Sequence, residues 1–385
     1  MRDARRIRAA FARVGHAPVV LATVLRTRGP AYRRAGAMAL LAADGRVLAG
    51  SVSAGCLESD VSARTPAVLA RGVPERVVYD ADGGPFAIPS GCGGVVEVLL
   101  EPVEASDHRA ALGGWLRAVE SLGMASAGGI VLRGRTDGRG GLARVIATTE
   151  GEWWFNAAGS EGFVSSVRAA VRRDGVRAAA ARRSGVFAYD TIEVAWHGIT
   201  PVPALLIGGA LPDAAPVAQL AASLDWRVRV LDHREARLEA FDVAEVARDV
   251  GPPVSLATLA NEDPHAAALV MYHAEDADGD ALRALVERPC GYVGVLGPRS
   301  RTARLLADTP LAGAASWPAW LHAPVGLDVG ADTPDEIAVS IMGELLAWQR
   351  GTAGTPLGGR DGPLHAVGVL EVLEGVPAPW PGEVP

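Results

Sequence analysis

Beyond residue 200 the chain alternates between two apolar periods, and that alternation constrains the fold more than any other feature. Ala204-Leu205-Leu206-Ile207-Gly208 is a short apolar run that stops at the pair Gly208-Gly209. Ala214, Val217, Leu220, Ala221 and Leu224 then recur at helical spacing. Residues 226–231 return to strand character and close on Asp232. Residues 266–272 and 292–296 read as later strands of the same sheet. A strand, a glycine turn, a helix and a second strand ending in an acidic residue predict a mainly parallel, Rossmann-like sheet. Asp232 lies 23 positions after Gly209, an offset that suits a carboxylate bonded to a ribose, with Arg234 beside it for a phosphate.

The glycine pattern is incomplete. With Gly209 as the first glycine, Leu211 stands at the second position and Ala214 at the third. Alanine is tolerated there, but a leucine obstructs the backbone's approach to a pyrophosphate. Asp213 is expected to cap the helix and so to occupy the amides that would hold an anion. Tight NAD(P) binding is therefore not expected.

Upstream, the chain reads as an α+β unit. Residues 19–25 are a β-rich run, 37–41 and 46–48 form a hairpin around Asp44-Gly45, and 95–100 is a strand that Glu101-Pro102 ends. Residues 108–122 have helical spacing, 129–132 and 143–147 are strand-like, and 164–181 is a basic helix-like stretch. The prolines of Thr200-Pro201-Val202-Pro203 mark a boundary. Three segments result: an α+β domain over 1–199, a Rossmann-like domain over 200–350, and a Gly/Pro-rich tail over 351–385. The last strong helix starts at Thr333-Pro334-Asp335-Glu336, a capping-box sequence. The tail carries one strand-like run near Val367, and its final ten residues are expected to be mobile.

A formal net charge of −7, with no long basic block, argues against nucleic acid as a partner. No apolar run reaches the roughly 18 residues of a membrane span. No apolar signal region follows the basic Met1–Arg6 start, so a cytoplasmic protein is expected. Cys56, Cys92 and Cys290 make neither a disulfide framework nor a zinc pattern.

Several motifs occur together and in order. They are Arg28-Gly29-Pro30-Ala31-Tyr32-Arg33-Arg34-Ala35-Gly36, Gly50-Ser51-Val52-Ser53-Ala54-Gly55-Cys56-Leu57-Glu58, and Gly91-Cys92-Gly93-Gly94. Asp232-His233-Arg234, Gly294-Val295-Leu296-Gly297-Pro298-Arg299-Ser300-Arg301 and Pro324-Val325-Gly326-Leu327-Asp328 follow. This combination resembles the XdhC/CoxI family, with departures at Pro30-Ala31, Ala54 and Leu211. The resemblance implies a maturation factor that binds a molybdopterin-type molybdenum cofactor and delivers it to a molybdenum hydroxylase such as xanthine dehydrogenase. It implies a cysteine desulfurase as a second partner, and a homodimer is expected.

The candidate cofactor-binding residues are Arg33, Arg34, Cys56, Cys92, Gly209, Asp232, Arg234, His273, Gly294, Gly297, Arg299 and Arg301. Cys56 follows a glycine turn and precedes a helix, a position that favours thiolate and contact with molybdenum. Its alternative is a small buried thiol. Cys92, between glycines, is either a close backbone approach to a ligand or a packed turn. Arg33 and Arg34 are a phosphate fork or a solvated pair. Gly294, Gly297, Arg299, Arg301 and His273 fall at the carboxyl ends of strands, where ligands of parallel sheets bind. His273 reads as an acid/base, a hydrogen-bonder or a structural histidine. Cys290 reads as structural. Two other classes of function fit the same chain: an NAD(P)-dependent oxidoreductase, and an interaction scaffold that holds no small molecule.

Overall fold

The computed structural model describes residues 2–80, 93–121, 126–133, 142–148, 151–155, 168, 172, 174–178, 184–189, 192–199, 201–263, 265–359 and 376–377. The chain divides into two compact units, residues 1–201 with 361–385, and residues 202–360.

The first unit holds two antiparallel sheets. One contains β1 (Val19–Arg28), β2 (Met38–Ala42), β3 (Val47–Gly50), β4 (Glu75–Asp80) and β5 (Val95–Val103), in the order β3-β2-β1-β5-β4. The expected hairpin at Asp44-Gly45 joins β2 to β3, with Gly45 at φ 85°. Helices α1 (Arg2–Arg13) and α3 (Ser106–Ser121) cover one face around Trp115. Helix α2 (Glu58–Arg71) covers the other through Val61 and Val68. β5 does not stop at Glu101-Pro102 as the sequence predicts. β4 begins at Glu75, opposite Leu100, so at Pro102 β5 has β1 as its neighbour and the missing proline N–H is tolerated.

The second sheet contains β6 (Ser126–Arg133), β7 (Ala143–Ala147), β8 (Glu152–Phe155), β9 (Gly185–Tyr189) and β10 (Ile192–Ile199). Leu25 and Leu99 of the first sheet pack with Ile130, Leu132, Val186 and Ala195 of the second. Two carboxylates of β5 are fully buried. Glu97 accepts from Arg26 Nε at 2.6 Å and Arg76 Nε at 2.7 Å, and Glu101 is held by Arg144 and by His108 Nε2 at 2.6 Å. Buried charges persist only when paired and hydrogen-bonded in this way. Val376–Pro377 pairs with β9, so part of the last ten residues is an edge strand rather than a mobile tail. The basic stretch 164–181 is helical at residues 174–178; most of the rest, like the run near Val367, lies outside the described residues.

The second unit alternates strand and helix throughout: β11 (Ala204–Gly208), α4 (Ala214–Ser223), β12 (Arg227–Asp232), α5 (Glu235–Ala240), β13 (Val246–Val250), α6 (Ser255–Ala260), β14 (Ala266–Val270), α7 (Glu275–Glu287), β15 (Tyr292–Val295), α8 (Arg299–Leu305), β16 (Leu321–His322) and α9 (Pro334–Arg350). All its strands are parallel, in the order β13-β12-β11-β14-β15-β16. This is the expected doubly wound Rossmann arrangement. Successive residues of β11 serve opposite faces, as strand geometry requires. Leu205 and Ile207 pack with α4 and α9, while Ala204 and Leu206 pack with α6 and α7. The predicted capping box of α9 is present: Thr333 Oγ1 accepts from the Glu336 amide at 3.3 Å and the Glu336 carboxylate accepts from the Thr333 amide at 2.9 Å. No helix among the described residues is long and apolar enough to cross a membrane.

Candidate functional site

In the first unit the Cys56 loop is built around one carboxylate. Glu58, the first residue of α2, turns its side chain back onto residues 51–55. Its Oε1 accepts from the Ser51 hydroxyl at 2.8 Å, the Val52 amide at 3.1 Å and the Ser53 amide at 2.8 Å. Its Oε2 accepts from the Gly55 amide at 2.9 Å and from the Ser53 hydroxyl. The Ser53 hydroxyl in turn accepts from the amides of Gly55 at 3.1 Å and Leu57 at 3.0 Å. Burial pushes the Glu58 carboxyl up, but the Ser53 and Ser51 donors outweigh it and hold it at about 2. Cys56 is exposed on this loop, two residues ahead of α2. The small buried thiol of its alternative reading is thus not what the fold produces.

The turn at Gly29-Pro30 lies against the chain that follows Cys92. A Cβ on Gly94 would stand 2.0 Å from the Pro30 carbonyl oxygen, so only glycine fits there. Cys92 itself lies outside the described residues. Arg33 is spoken for by an ion pair with Asp3 of α1, whose carboxylate also accepts from the Met38 amide at 3.3 Å. Arg34 is exposed. A phosphate at this turn would compete with the Asp3 carboxylate for Arg33.

In the second unit the candidate residues gather at the carboxyl ends of the strands. Gly209 turns at φ 111°, and a Cβ there would stand 2.5 Å from the Met271 carbonyl oxygen, which explains a glycine at the end of β11. Asp232, expected to meet a ribose, is fully buried and committed within the chain. Its Oδ2 accepts from the Ala210 amide at 2.9 Å and from Arg234 at 2.8 Å, and its Oδ1 accepts from the Arg234 amide at 2.9 Å and Nε at 2.7 Å. Burial raises the Asp232 carboxyl, and the Arg234 and Ala210 donors overcome that to leave it at about 2. Asp232 and Arg234 thus lock the glycine turn to β12 instead of offering free groups to a ligand.

Asp213 departs from its predicted role as well. It precedes α4 but makes no capping bond, because its Oδ2 lies 2.6 Å from His273 Nε2. This hydrogen bond, the largest influence, raises the His273 pKa against the opposing effect of burial. Arg301 pairs with the buried Asp278, and Arg299 stacks 4.2 Å over the Trp317 ring. Gly294 is a packing glycine: a Cβ there would stand 2.6 Å from Leu269 and 2.7 Å from Val325. Gly297, at φ 112°, makes the turn that carries Arg301. Cys290 is partly buried, its thiol 3.1 Å from the Tyr292 carbonyl oxygen, and burial pushes its pKa up.

Sequence reasoning assigned no role to Glu58, Asp278 or the Asp213–His273 contact. The signal for Glu58 was present locally, as an acidic residue just after a loop of two serines and a glycine. The contacts of Asp278 with Arg301 and of His273 with Asp213 span 23 and 60 residues and leave no local trace.

Similar proteins agree with this architecture. The XdhC and CoxI family matches residues 12–80, and the XdhC Rossmann domain matches residues 205–345. A Bacillus subtilis protein described as a probable xanthine dehydrogenase subunit is 29% identical over 339 residues, covering 87% of this chain and 94% of that protein. An uncharacterized Escherichia coli protein, YqeB, is 30% identical over 171 residues, covering 40% of this chain and 29% of its own length. The crystal structure of a xanthine dehydrogenase from Bacillus halodurans aligns with a TM-score of 0.70 at 28% identity, covering 91% of this chain and 96% of that one. The motifs that carried the resemblance, apart from Gly91-Cys92-Gly93-Gly94, lie in the two matched regions, and the chain is a member of the XdhC and CoxI family.

Proposed function

We propose that this chain is a maturation factor that takes up a molybdopterin-type cofactor and passes it to a xanthine-dehydrogenase-type molybdenum hydroxylase. The observation that carries the reading is the exposed Cys56 thiol, displayed from a loop that Glu58 pins through five hydrogen bonds. Family membership and the description of the Bacillus subtilis relative as belonging to a xanthine dehydrogenase support the context.

The donor chemistry fits the cargo. A thiol is a soft ligand, suited to a metal already held by dithiolene sulfurs. Cys56 would stand at the molybdenum end of the cargo, and the Val52, Ser53 and Gly55 amides of the loop are committed to Glu58. In this reading a cysteine desulfurase supplies the sulfur of the mature cofactor, the protein works in the cytoplasm, and it acts as a homodimer.

Protein purified without air from a molybdenum-replete host should yield the fluorescent oxidation product of molybdopterin. Content no greater than in an unrelated control protein would end this reading and promote the interaction scaffold. The complete doubly wound sheet favours a second reading, an NAD(P)-dependent oxidoreductase, and Leu211 at the glycine turn opposes it.

A further inference from the structure

His273 follows β14 with φ at 57°, a left-handed conformation that strains a non-glycine residue. The strain is held at the gap between β11 and β14. There the chain leaves β11 toward β12 and leaves β14 toward β15, so the gap is the switch point of the sheet. Ligands of open parallel sheets bind at that point.

Three charged groups face the His273 imidazole. Asp213 reaches it from the start of α4, at 2.6 Å. Asp278 of α7 and Arg301 of α8 lie within electrostatic range. They are not equally mobile. Asp278 is fully buried, accepts from the Tyr272 amide at 2.9 Å and holds Arg301, so that pair is fixed. Asp213 keeps 20% of its side chain exposed, and its hydrogen bond to His273 is the one its carboxylate makes among the described residues. The imidazole is 51% exposed. Rotating Asp213 outward therefore breaks one bond at the surface and takes one negative charge away from His273 and Arg301. Beside them Tyr272 carries a buried hydroxyl with no partner among the described residues, against Gly208 at the same edge.

We propose that the Asp213–His273 pair is a displaceable clasp over an anion site, in which a phosphate group takes the place of the Asp213 carboxylate beside His273 and Arg301. The geometry explains why Asp213 leaves the cap of α4 unmade: its carboxylate stands in for the anion. Phosphate groups occur as monoesters and as the pyrophosphate bridges of nucleotides, and the two sources are separated by probing with inorganic phosphate and with pyrophosphate. The clasp does not depend on the molybdopterin reading, and the experiment below does not measure molybdopterin, so either can fail while the other stands.

The test is calorimetric titration of the full chain with each probe at neutral pH, on the unmodified protein, Asp213→Asn and His273→Gln. Removing the resident carboxylate should tighten binding on the order of tenfold, the scale of one charge-assisted contact. His273→Gln should abolish it. Preference for pyrophosphate over phosphate would assign a nucleotide-type ligand, and the reverse a monoester. Weaker or unchanged binding in Asp213→Asn would overturn the proposal, because a purely structural pair loses function from either side. A second measurement covers a variant that does not fold. In carbon-13 histidine spectra of the unmodified protein, the resonance that Asp213→Asn shifts or His273→Gln removes should move on addition of the tighter-binding probe. A resonance that stays fixed overturns the proposal.

Discussion

Five donors converge on the Glu58 carboxylate, and their effect on its ionisation sets how the Cys56 loop responds to acid. The folded value of about 2 lies below the ordinary 4.5. A carboxylate with a depressed pKa stabilises the folded state fully above its unfolded value, and loses that contribution as pH falls through the folded one. Glu58→Gln should lower stability by about 2 kcal/mol at neutral pH, the scale of hydrogen bonds to a charged group. The difference in Tm between the two proteins should narrow as pH falls from 4.5 toward 2; a constant difference would mean that the charge does not hold the loop. At Cys56 itself, Cys56→Ser should keep the fold and lose molybdopterin, since a hydroxyl is a poor donor to a sulfur-rich centre. Cys290→Ser should leave cofactor content unchanged. Iodoacetamide should modify Cys56 faster than Cys290, because Cys290 is partly buried with a raised pKa. Equal, slow labelling of both would count against an active role for Cys56.

Elements whose signals are local were legible in the sequence, and those that depend on distant partners were not. The capping box of α9 needs four consecutive residues and was readable, and Thr333→Ala should cost about 1 kcal/mol in thermal or urea unfolding. The β11-turn-α4-β12 unit was readable because its apolar period switches within thirty or so residues. The buried carboxylates of β5 were not, since Arg26 and Arg144 meet Glu97 and Glu101 across separations of 71 and 43 residues. The same limit hid the true role of Asp213, where a long-range imidazole won over the local cap. It also turned Asp232 from a ribose acceptor into a lock on the turn. NADH should bind with a dissociation constant of about 0.1 mM or weaker, a loss of several kcal/mol against a fully glycine-lined cradle. Leu211→Gly should tighten it, and low-micromolar binding to the unmodified protein would favour the oxidoreductase.

At the scale of the whole molecule, the parallel-sheet unit has a core on each face of its sheet, drawn entirely from its own residues. A chain of residues 202–360 should therefore fold by itself and melt cooperatively by circular dichroism; a broad, non-cooperative melt would show that it needs the first unit. The first unit closes differently, because Val376–Pro377 pair with Ala188 and Phe187 of β9 from the far end of the chain. A chain cut after residue 375 would leave that stretch of β9 with bare amides and carbonyls, the template on which sheets of separate molecules join. Val376 and Pro377 thus guard this edge of β9 against self-association: their removal should be felt in solubility and light scattering before any loss of ligand.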